Sequence, residues 1–367
     1  MRFVCQQKQL LNSINIVQKA LSSKTTLPIL RGIYLESYDN KLKLMATDLE
    51  LGIEHLIEVE SHGEGAIVLD ARLFNDIVRK LPDSEVKIEL KENNQIHIEC
   101  ENSKFNIIGH DPRDFPELPS IEGGTSYKIS QDLFKNMIRQ TIFATSQDES
   151  RPVLTGILLE IEENNLSLVA LDGYRLALRK GKLEANGDNK IIIPSKTLYE
   201  INRIIHQDEE SLEMTVTKNH VLFTMDNIKI VSRLLEGEFI NYKQILPKNY
   251  KTNIKVKTQD LLNSIERAAL VAREGRNNLI KLNIEDNMIV IRSNSELGTV
   301  YEEVFIESQG DSLEIAFNSR YLIDALRVID EEEIFLEFTT NLSPGIIKPI
   351  SNHNYIYLVL PVRLSAN

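Results

Sequence analysis

The sequence predicts an α+β chain of three tandem repeats. Three observations carry this: a helix motif that recurs every 124 residues, alternating apolar strands that recur with it, and a length of 367 residues, which three units of about 120 fill. The motif is clearest from Leu69 to Leu90. Asp70 stands as an N-cap, Leu73, Phe74, Ile77, Val78 and Leu81 recur at helical spacing, and Pro82 stops the helix. Arg72 and Arg79 lie off that stripe, seven residues apart. At 3.6 residues per turn they share a face, about 10 Å apart along the axis. Adding 124 gives Lys196 and Arg203, and adding 124 again gives Arg320 and Arg327. All six positions are basic, although Lys and Arg are only 42 of the 367 residues. Solvated helix faces explain single cations; they do not explain the recurrence.

The remaining elements repeat in the same order. Each unit opens with a short strand and a helix: Arg2 to Gln6 then Gln9 to Ile14, Tyr127 to Ser130 then Gln131 to Met137, and Gln259 to Ile265 in the third. A strand pair follows, in which Leu42–Asp48 matches Leu166–Asp172 at the same offset and Met288–Asn294 more loosely. Alternation of apolar and polar residues marks half-buried strands that turn at the acidic or amide residue. After the basic helix, two further strands close each unit: Glu85 to Leu90 with Gln95 to Ile108, Ser211 to Thr217 with Val221 to Leu234, and Ile334 to Thr339 with Ile346 to Leu360. This predicts sheet on the outside with a helical pair on one face. Turn-rich stretches at Ile121–Thr125 and Pro247–Lys251 set the repeats at 1–122, 126–248 and 252–367.

Composition narrows the function. A hydrophobic content of 42% with 26% charged residues is that of a globular chain with a full core. Cys5 and Cys100 are the only cysteines, so neither a disulfide framework nor a Cys/His zinc site is expected. The N-terminus has no apolar leader and no run reaches membrane-spanning length, which points to the cytoplasm and to no membrane partner. The formal charge of −12 disfavours nucleic acid on average, yet an acidic exterior with a basic inner face gives the same sum. No phosphate loop, HExxH or nucleophile-and-base constellation is present. The seven histidines are scattered, Gly63-Glu64-Gly65 reads as a turn, Asp148-Glu149-Ser150 as a loop, and the runs Asp208–Glu210 and Asp330–Glu333 as solvated acidic turns. No metal, cofactor or catalytic residue is expected. Two rival readings are a metal-dependent nuclease using Glu209 or Glu332, and a repeat scaffold that ignores DNA.

Five segments then carry a resemblance: Thr26-Leu27-Pro28-Ile29-Leu30, Ala46-Thr47-Asp48-Leu49-Glu50, Asp172-Gly173-Tyr174-Arg175-Leu176-Ala177, Asn241-Tyr242-Lys243-Gln244-Ile245-Leu246-Pro247 and Leu360-Pro361-Val362-Arg363-Leu364. In this order, over the whole chain, they resemble the bacterial DNA sliding clamps, the beta subunits of DNA polymerase III holoenzyme. The resemblance implies a non-catalytic processivity factor: a head-to-tail homodimer of six repeats closing as a ring on duplex DNA, helices on the inner face and sheets outside. It also implies a replicative DNA polymerase, an ATP-driven clamp loader and repair proteins as partners, held through short peptide motifs. Lys24, Arg72, Arg79 and Gln147 match family positions that approach the duplex; Lys196, Arg203, Arg320 and Arg327 join them through the repeat. Phe105, Leu270 and Val271 match the dimer interface. The partner-peptide cleft, between repeats 2 and 3, maps onto Leu154, Leu171, Gly173, Tyr174, Arg175, Leu176, Pro247, Leu358, Leu360, Pro361, Val362 and Arg363, with an apolar floor and Arg175 and Arg363 as rim cations. Two departures, Leu171 where Thr is frequent and the tail Ser365-Ala366-Asn367, are expected to shift peptide preference.

Overall fold

Strand becomes helix at Asp70 for a local reason. Its Oδ1 accepts the Leu73 N–H at 2.8 Å, and the helix runs from Ala71 to Lys80, ending just before Pro82. The computed structural model describes residues 1–22, 25–184, 187–205, 210–275, 278–351 and 354–363. Among them are six α-helices: α1 (Gln7–Val17), α2 (Ala71–Lys80), α3 (Gln131–Arg139), α4 (Ser195–Ile204), α5 (Thr258–Ala272) and α6 (Ser319–Leu326). The Asp70 cap recurs at Asn318, whose Oδ1 accepts the Arg320 N–H at 3.0 Å. The start of each opening helix recurs too. The N–H of Gln7, Gln131 and Thr258 donates to the carbonyl of Ser84, Glu210 and Glu332 respectively, at 3.0, 3.0 and 2.8 Å, so one backbone bond ties helix to strand in all three repeats.

The stripe of α2 holds with one correction. Phe74, Ile77, Val78 and Leu81 are buried, but Leu73 is 48% exposed. At about 100° per residue Leu73 falls at the edge of the buried arc, whereas Arg72 and Arg79 lie roughly 150° from Phe74, facing away from the core.

The chain gathers into two compact units, 1–132 with 196–234 and 133–195 with 235–367, so the expected middle repeat contributes to both. In the first, a five-stranded sheet ends at the edge strand Ser103–Ile108. Its eight-stranded sheet joins strands of the first and middle repeats: Leu51–Glu58 pairs antiparallel with Ile228–Arg233, from Leu51 opposite Ser232 to His55 opposite Ile228. The second unit repeats the arrangement. In its nine-stranded sheet Arg175–Lys182 pairs with Tyr355–Val359, from Arg175 opposite Val359 to Arg179 opposite Tyr355. Its four-stranded sheet ends at the edge strand Gly298–Phe305.

Two expectations about strands need correction. Each closing segment read as one long strand is a hairpin: Gln95–Cys100 with Ser103–Ile108, His220–Met225 with Ile228–Arg233, and Gly345–Pro349 with Tyr355–Val359. Glu101 and Asp226, at φ of 48° and 46°, make the first two turns; the polar pairs Glu101-Asn102 and Asp226-Asn227 break the apolar alternation there and mark the reversal. The loosely matching turn of the third repeat also differs. Met288–Ser295 runs past Asn294 into a tight hairpin that pairs Ser295 with Gly298.

Replacing Asp70 by Ala removes the α2 cap and is expected to cost about 1 kcal/mol, read as a lower urea midpoint at unchanged slope. A second expectation concerns His55, in the strand that joins the repeats. It is 9% exposed with no partner for Nδ1, and burial lowers its pKa below the ordinary 6.5. The unfolded chain therefore binds the proton more readily. The contribution is fully present above about pH 6.5 and is lost as pH falls through that value. The urea midpoint should drop between neutral and mildly acid pH more steeply in the native chain than in His55→Leu.

Candidate peptide cleft, helix faces and sheet edges

Four of the expected cleft residues come together in the second unit. Leu154, Leu171, Leu176 and Leu358 are buried in one apolar cluster with Phe239, Tyr242 and Ile346, and Val153 and Leu246 pack against it. The strand pair Arg175–Lys182 and Tyr355–Val359 supplies Leu176 and Leu358 as opposite residues. Tyr242 stays in this apolar setting because its hydroxyl donates to Glu160 Oε2 at 2.7 Å; burial and the adjacent carboxylate raise its pKa. Leu171, 4% exposed, adds an apolar side chain to the interior of this cluster.

The rim is built by a turn. Asp172 Oδ1 accepts the N–H groups of Tyr174 and Arg175 at 2.9 and 3.0 Å, and Gly173 takes φ of 93° with open space where a Cβ would stand. Tyr174, 61% exposed, stacks on Tyr321 with ring centroids 6.2 Å apart. Its carbonyl accepts the Leu360 N–H at 2.8 Å, and the Val362 N–H donates to Ala316 O at 2.8 Å, so the segment after the last strand is fixed. Leu360 is 38% exposed; Pro361 and Val362 are half-buried, while Pro247 and Arg363 are exposed. Leu364 and the tail Ser365–Asn367 lie outside the described residues.

Arg175 is not a rim cation. Its side chain is only 11% exposed. Its guanidinium donates to Asp172 Oδ2 at 2.9 Å, Asp324 Oδ2 at 2.7 Å and the Phe143 carbonyl at 2.7 Å, and lies 4.5 Å over the Tyr321 ring. Burial alone would lower its pKa, but Tyr357, Asp324 and Asp172 outweigh it and the charge is held. The sequence places a cation next to an exposed aromatic; it does not reveal that two carboxylates, one of them 149 positions away, already take the charge. Arg175 therefore positions the Tyr174 turn and leaves Arg363 as the exposed cation of the pair. Tyr242 lies within the cluster and Leu246 packs against it, while Ile245, between them in sequence, is 38% exposed; no local pattern marks Tyr242 and Leu246, and the only signal for them is the Asn241–Pro247 segment that contains them.

On the helices, Arg72, Arg79, Lys196, Arg203, Arg320 and Arg327 are all exposed, as is Gln147 in the loop after α3. Lys24 lies outside the described residues. Four of the six cations have carboxylate partners: Arg79 with Asp76 at 2.6 Å, Lys196 with Asp48, Arg203 with Glu200 at 2.9 Å and Arg327 with Glu266 at 2.7 Å. Arg72 and Arg320 have none among the described residues. Phe105, 37% exposed, lies on the edge strand of the first unit, and Leu270, 56% exposed, with half-buried Val271, on α5 of the second. Sequence reasoning misses other apolar side chains on or beside the two edge strands: Ile108 at 78%, Leu297 at 80%, Tyr301 at 54% and Phe305 at 84% exposed.

Of the acidic runs, Asp208 and Glu209 lie outside the described residues. In the other, Asp330 pairs with Arg139 and Glu333 with Lys255. Among the described residues no three His, Cys, Asp or Glu side chains gather as metal ligands would, and no helix is long and apolar enough to cross a membrane.

Arg175→Ala leaves Asp172 and Asp324 without their shared cation and is expected to destabilise the second unit by roughly 3 kcal/mol. Urea unfolding of this variant, of Asp324→Asn and of the double variant should show strong non-additivity.

Comparison with known proteins places this geometry. Family models described as the N-terminal, central and C-terminal domains of the DNA polymerase III beta subunit match residues 1–119, 128–241 and 243–363. A beta sliding clamp of Staphylococcus epidermidis is 40% identical over 374 residues, covering 99% of each chain, and one from Staphylococcus aureus matches to the same extent. Among solved structures, a putative DNA polymerase III beta subunit from Eubacterium rectale superposes with a TM-score of 0.95 at 40% identity, over 99% of this chain and 100% of that one. The DNA polymerase sliding clamp of Bacillus subtilis gives 0.96 at 38% identity over 99% of both. With all three domain models in sequence order and relatives 40% identical over nearly the whole chain, the chain belongs to the DNA polymerase III beta subunit family, the beta sliding clamps.

Proposed function

We propose that two copies of this chain close head to tail as a ring around duplex DNA and hold the replicative polymerase at the primer end, acting as a non-catalytic processivity factor. One observation carries the reading. Inside the chain, Leu51–Glu58 is paired by Ile228–Arg233, and 124 residues on Arg175–Lys182 is paired by Tyr355–Val359. The third member of each set, Gly298–Phe305 and Ser103–Ile108, is a bare sheet edge with exposed apolar side chains. Exposed edges of this kind call for a partner. A second copy supplies the missing pairing twice, once for each edge, so the contact is heterologous and closes after six repeats at about 60° each. In this reading the repeats are 1–122, 126–248 and 252–367, and Phe105, Leu270 and Val271 are buried at the closure with Ile108 and Phe305.

The DNA contacts follow from the same repeat. Lys24, Arg72, Arg79, Gln147, Lys196, Arg203, Arg320 and Arg327 face the duplex, directed at phosphates and carrying no base readout. Affinity through such contacts is weak, and the closed ring supplies retention. A polymerase tethered to it keeps a high effective concentration at the primer end. The tether is a short peptide seated over Leu154, Leu171, Leu176 and Leu358, flanked by Gly173, Tyr174, Pro247, Leu360, Pro361 and Val362, with Arg363 toward the peptide's acidic or carbonyl groups and Arg175 holding the turn. The loader that opens the ring and the repair proteins that share it use this cleft.

Two measurements test the reading. Deleting Leu364 in Arg363→Ala should abolish binding of a polymerase-derived peptide while the dimer persists in sedimentation; unchanged peptide affinity rules the cleft out. Replacing Arg72, Lys196 and Arg320 together by Glu should cut retention on circular DNA without lowering the unfolding midpoint; retention at the native level contradicts the helix-face assignment.

A further inference from the structure

We infer that, of the six cations on its basic helices, this clamp neutralises four with its own carboxylates and leaves the phosphate-directed charge of these helices to Arg72 and Arg320. The inference rests on the reading of these helix faces as DNA-facing and adds a division of labour among them. Three sets of repeat-related residues make the case. The cations at 72, 196 and 320 open the basic helices, those at 79, 203 and 327 lie two turns on, and carboxylates at Asp76, Glu200 and Asp324 stand three residues before the second cation in every repeat. In the first two repeats that carboxylate takes its neighbour: Asp76 holds Arg79 at 2.6 Å and Glu200 holds Arg203 at 2.9 Å.

The third repeat departs because of Arg175. The aspartates Asp48 and Asp172, also 124 apart, each close a turn with Oδ1 on two backbone N–H groups and have Oδ2 left for a cation. In the second repeat Arg175 is three residues away and fills Oδ2 of Asp172. The first repeat has Leu51 at that position, and Oδ2 of Asp48, a side chain 11% exposed, is instead filled by Lys196 Nζ. Arg175 thus does for Asp172 what Lys196 does for Asp48, and Arg320, the counterpart of Lys196, is left over. Arg175 also draws Asp324 away from Arg327, which pairs with Glu266 at 2.7 Å instead. Among the described residues the outcome is four masked helix cations and two unmasked ones, near the start of α2 and α6.

The physical consequence concerns ion release. An unmasked arginine that meets a phosphate frees a condensed counterion, and this makes binding salt-dependent. A masked cation must first leave its carboxylate, which then gathers a cation from solution, so the net release is near zero. The Asp76 and Glu266 carboxylates, 49% and 36% exposed, make weak pairs, so exchange with phosphate there is nearly neutral; Asp48 and Glu200, each 11% exposed, hold their cations more firmly. A ring held by closure, with most of its helix cations masked in this way, moves along the backbone with little friction, and the salt dependence of its helix contacts is set by Arg72 and Arg320.

The test is the salt dependence of binding of the full-length dimer to a short labelled duplex, followed by anisotropy. Arg72→Gln and Arg320→Gln should each reduce the log–log slope by about 0.9 for every phosphate the arginine neutralises. Lys196→Gln, Arg203→Gln and Arg327→Gln should change it far less, while Glu200→Gln, Glu266→Gln and Asp48→Asn should steepen it by up to about 0.9 each. Asp48→Asn retains an Oδ1 acceptor for its turn, and Glu266→Gln, on an exposed helix face, gives the same reading should Asp48→Asn unfold. Equal reductions of slope at all six cations, with the carboxylate variants inert, overturn the inference while leaving the DNA-facing reading intact. A slope unmoved by every cation variant overturns the DNA-facing reading itself.

Discussion

The structure depends on main-chain pairing between repeats. Each of the first two repeats brings a strand that its own sheet leaves open, and the next repeat covers it, at Leu51–Glu58 and again at Arg175–Lys182. Backbone bonds in a sheet are satisfied without regard to side chain, so the same joint is made twice with different sequences on its faces. At the first joint Gly52 sits beneath Leu118, with no room for a Cβ; at the second the equivalent residue is Leu176, packed into the cleft cluster. The joint is constant and the surface over it is free to vary. That separation leaves an apolar cluster at one of the two internal joints, the one proposed as the partner cleft, while Leu118 covers the other.

The charge arrangement follows from the same economy. The chain has 54 acidic and 42 basic residues, and its net charge works against attraction to DNA at long range. Retention by contact would need a strong basic surface, whereas retention by closure needs only that the inner surface not repel. A face of cations tied mostly to internal carboxylates suits the second case. Arg175 links this to the Tyr174 turn: one guanidinium holds that turn and also takes Asp324, on the third basic helix, away from Arg327, so substitutions there should be felt at both places.

Much of this is legible in the sequence, because a threefold repeat checks itself. The basic pairs, the Asp70 cap and the acidic turn at Asp48 and Asp172 are each readable from one copy and reinforced by another. What stays hidden depends on distant partners or on places at the margin of a pattern. The polar pairs Glu101-Asn102 and Asp226-Asn227 do mark the hairpin turns, but Leu73 sits at the margin of its stripe, and Arg175 looks like a free rim charge until Asp324 is brought beside it. The apolar edges at Ile108, Leu297 and Phe305 escape notice since strand alternation alone does not say which strand lacks a neighbour. The cleft floor is recoverable only through resemblance: Leu154, Leu171, Leu176 and Leu358 read locally as ordinary core.

The central claim is that grip on DNA comes from closure of the ring. It is tested most directly by loading the clamp on a nicked plasmid circle with its loader and ATP, removing unbound protein, and measuring the fraction retained before and after one restriction cut. Closure predicts stable retention on the circle, persisting at raised salt, and release once the DNA is linear and the ring can slide off its ends. Equal retention on circular and linear DNA, declining with salt alike, would contradict the account and leave a protein held by contact affinity alone.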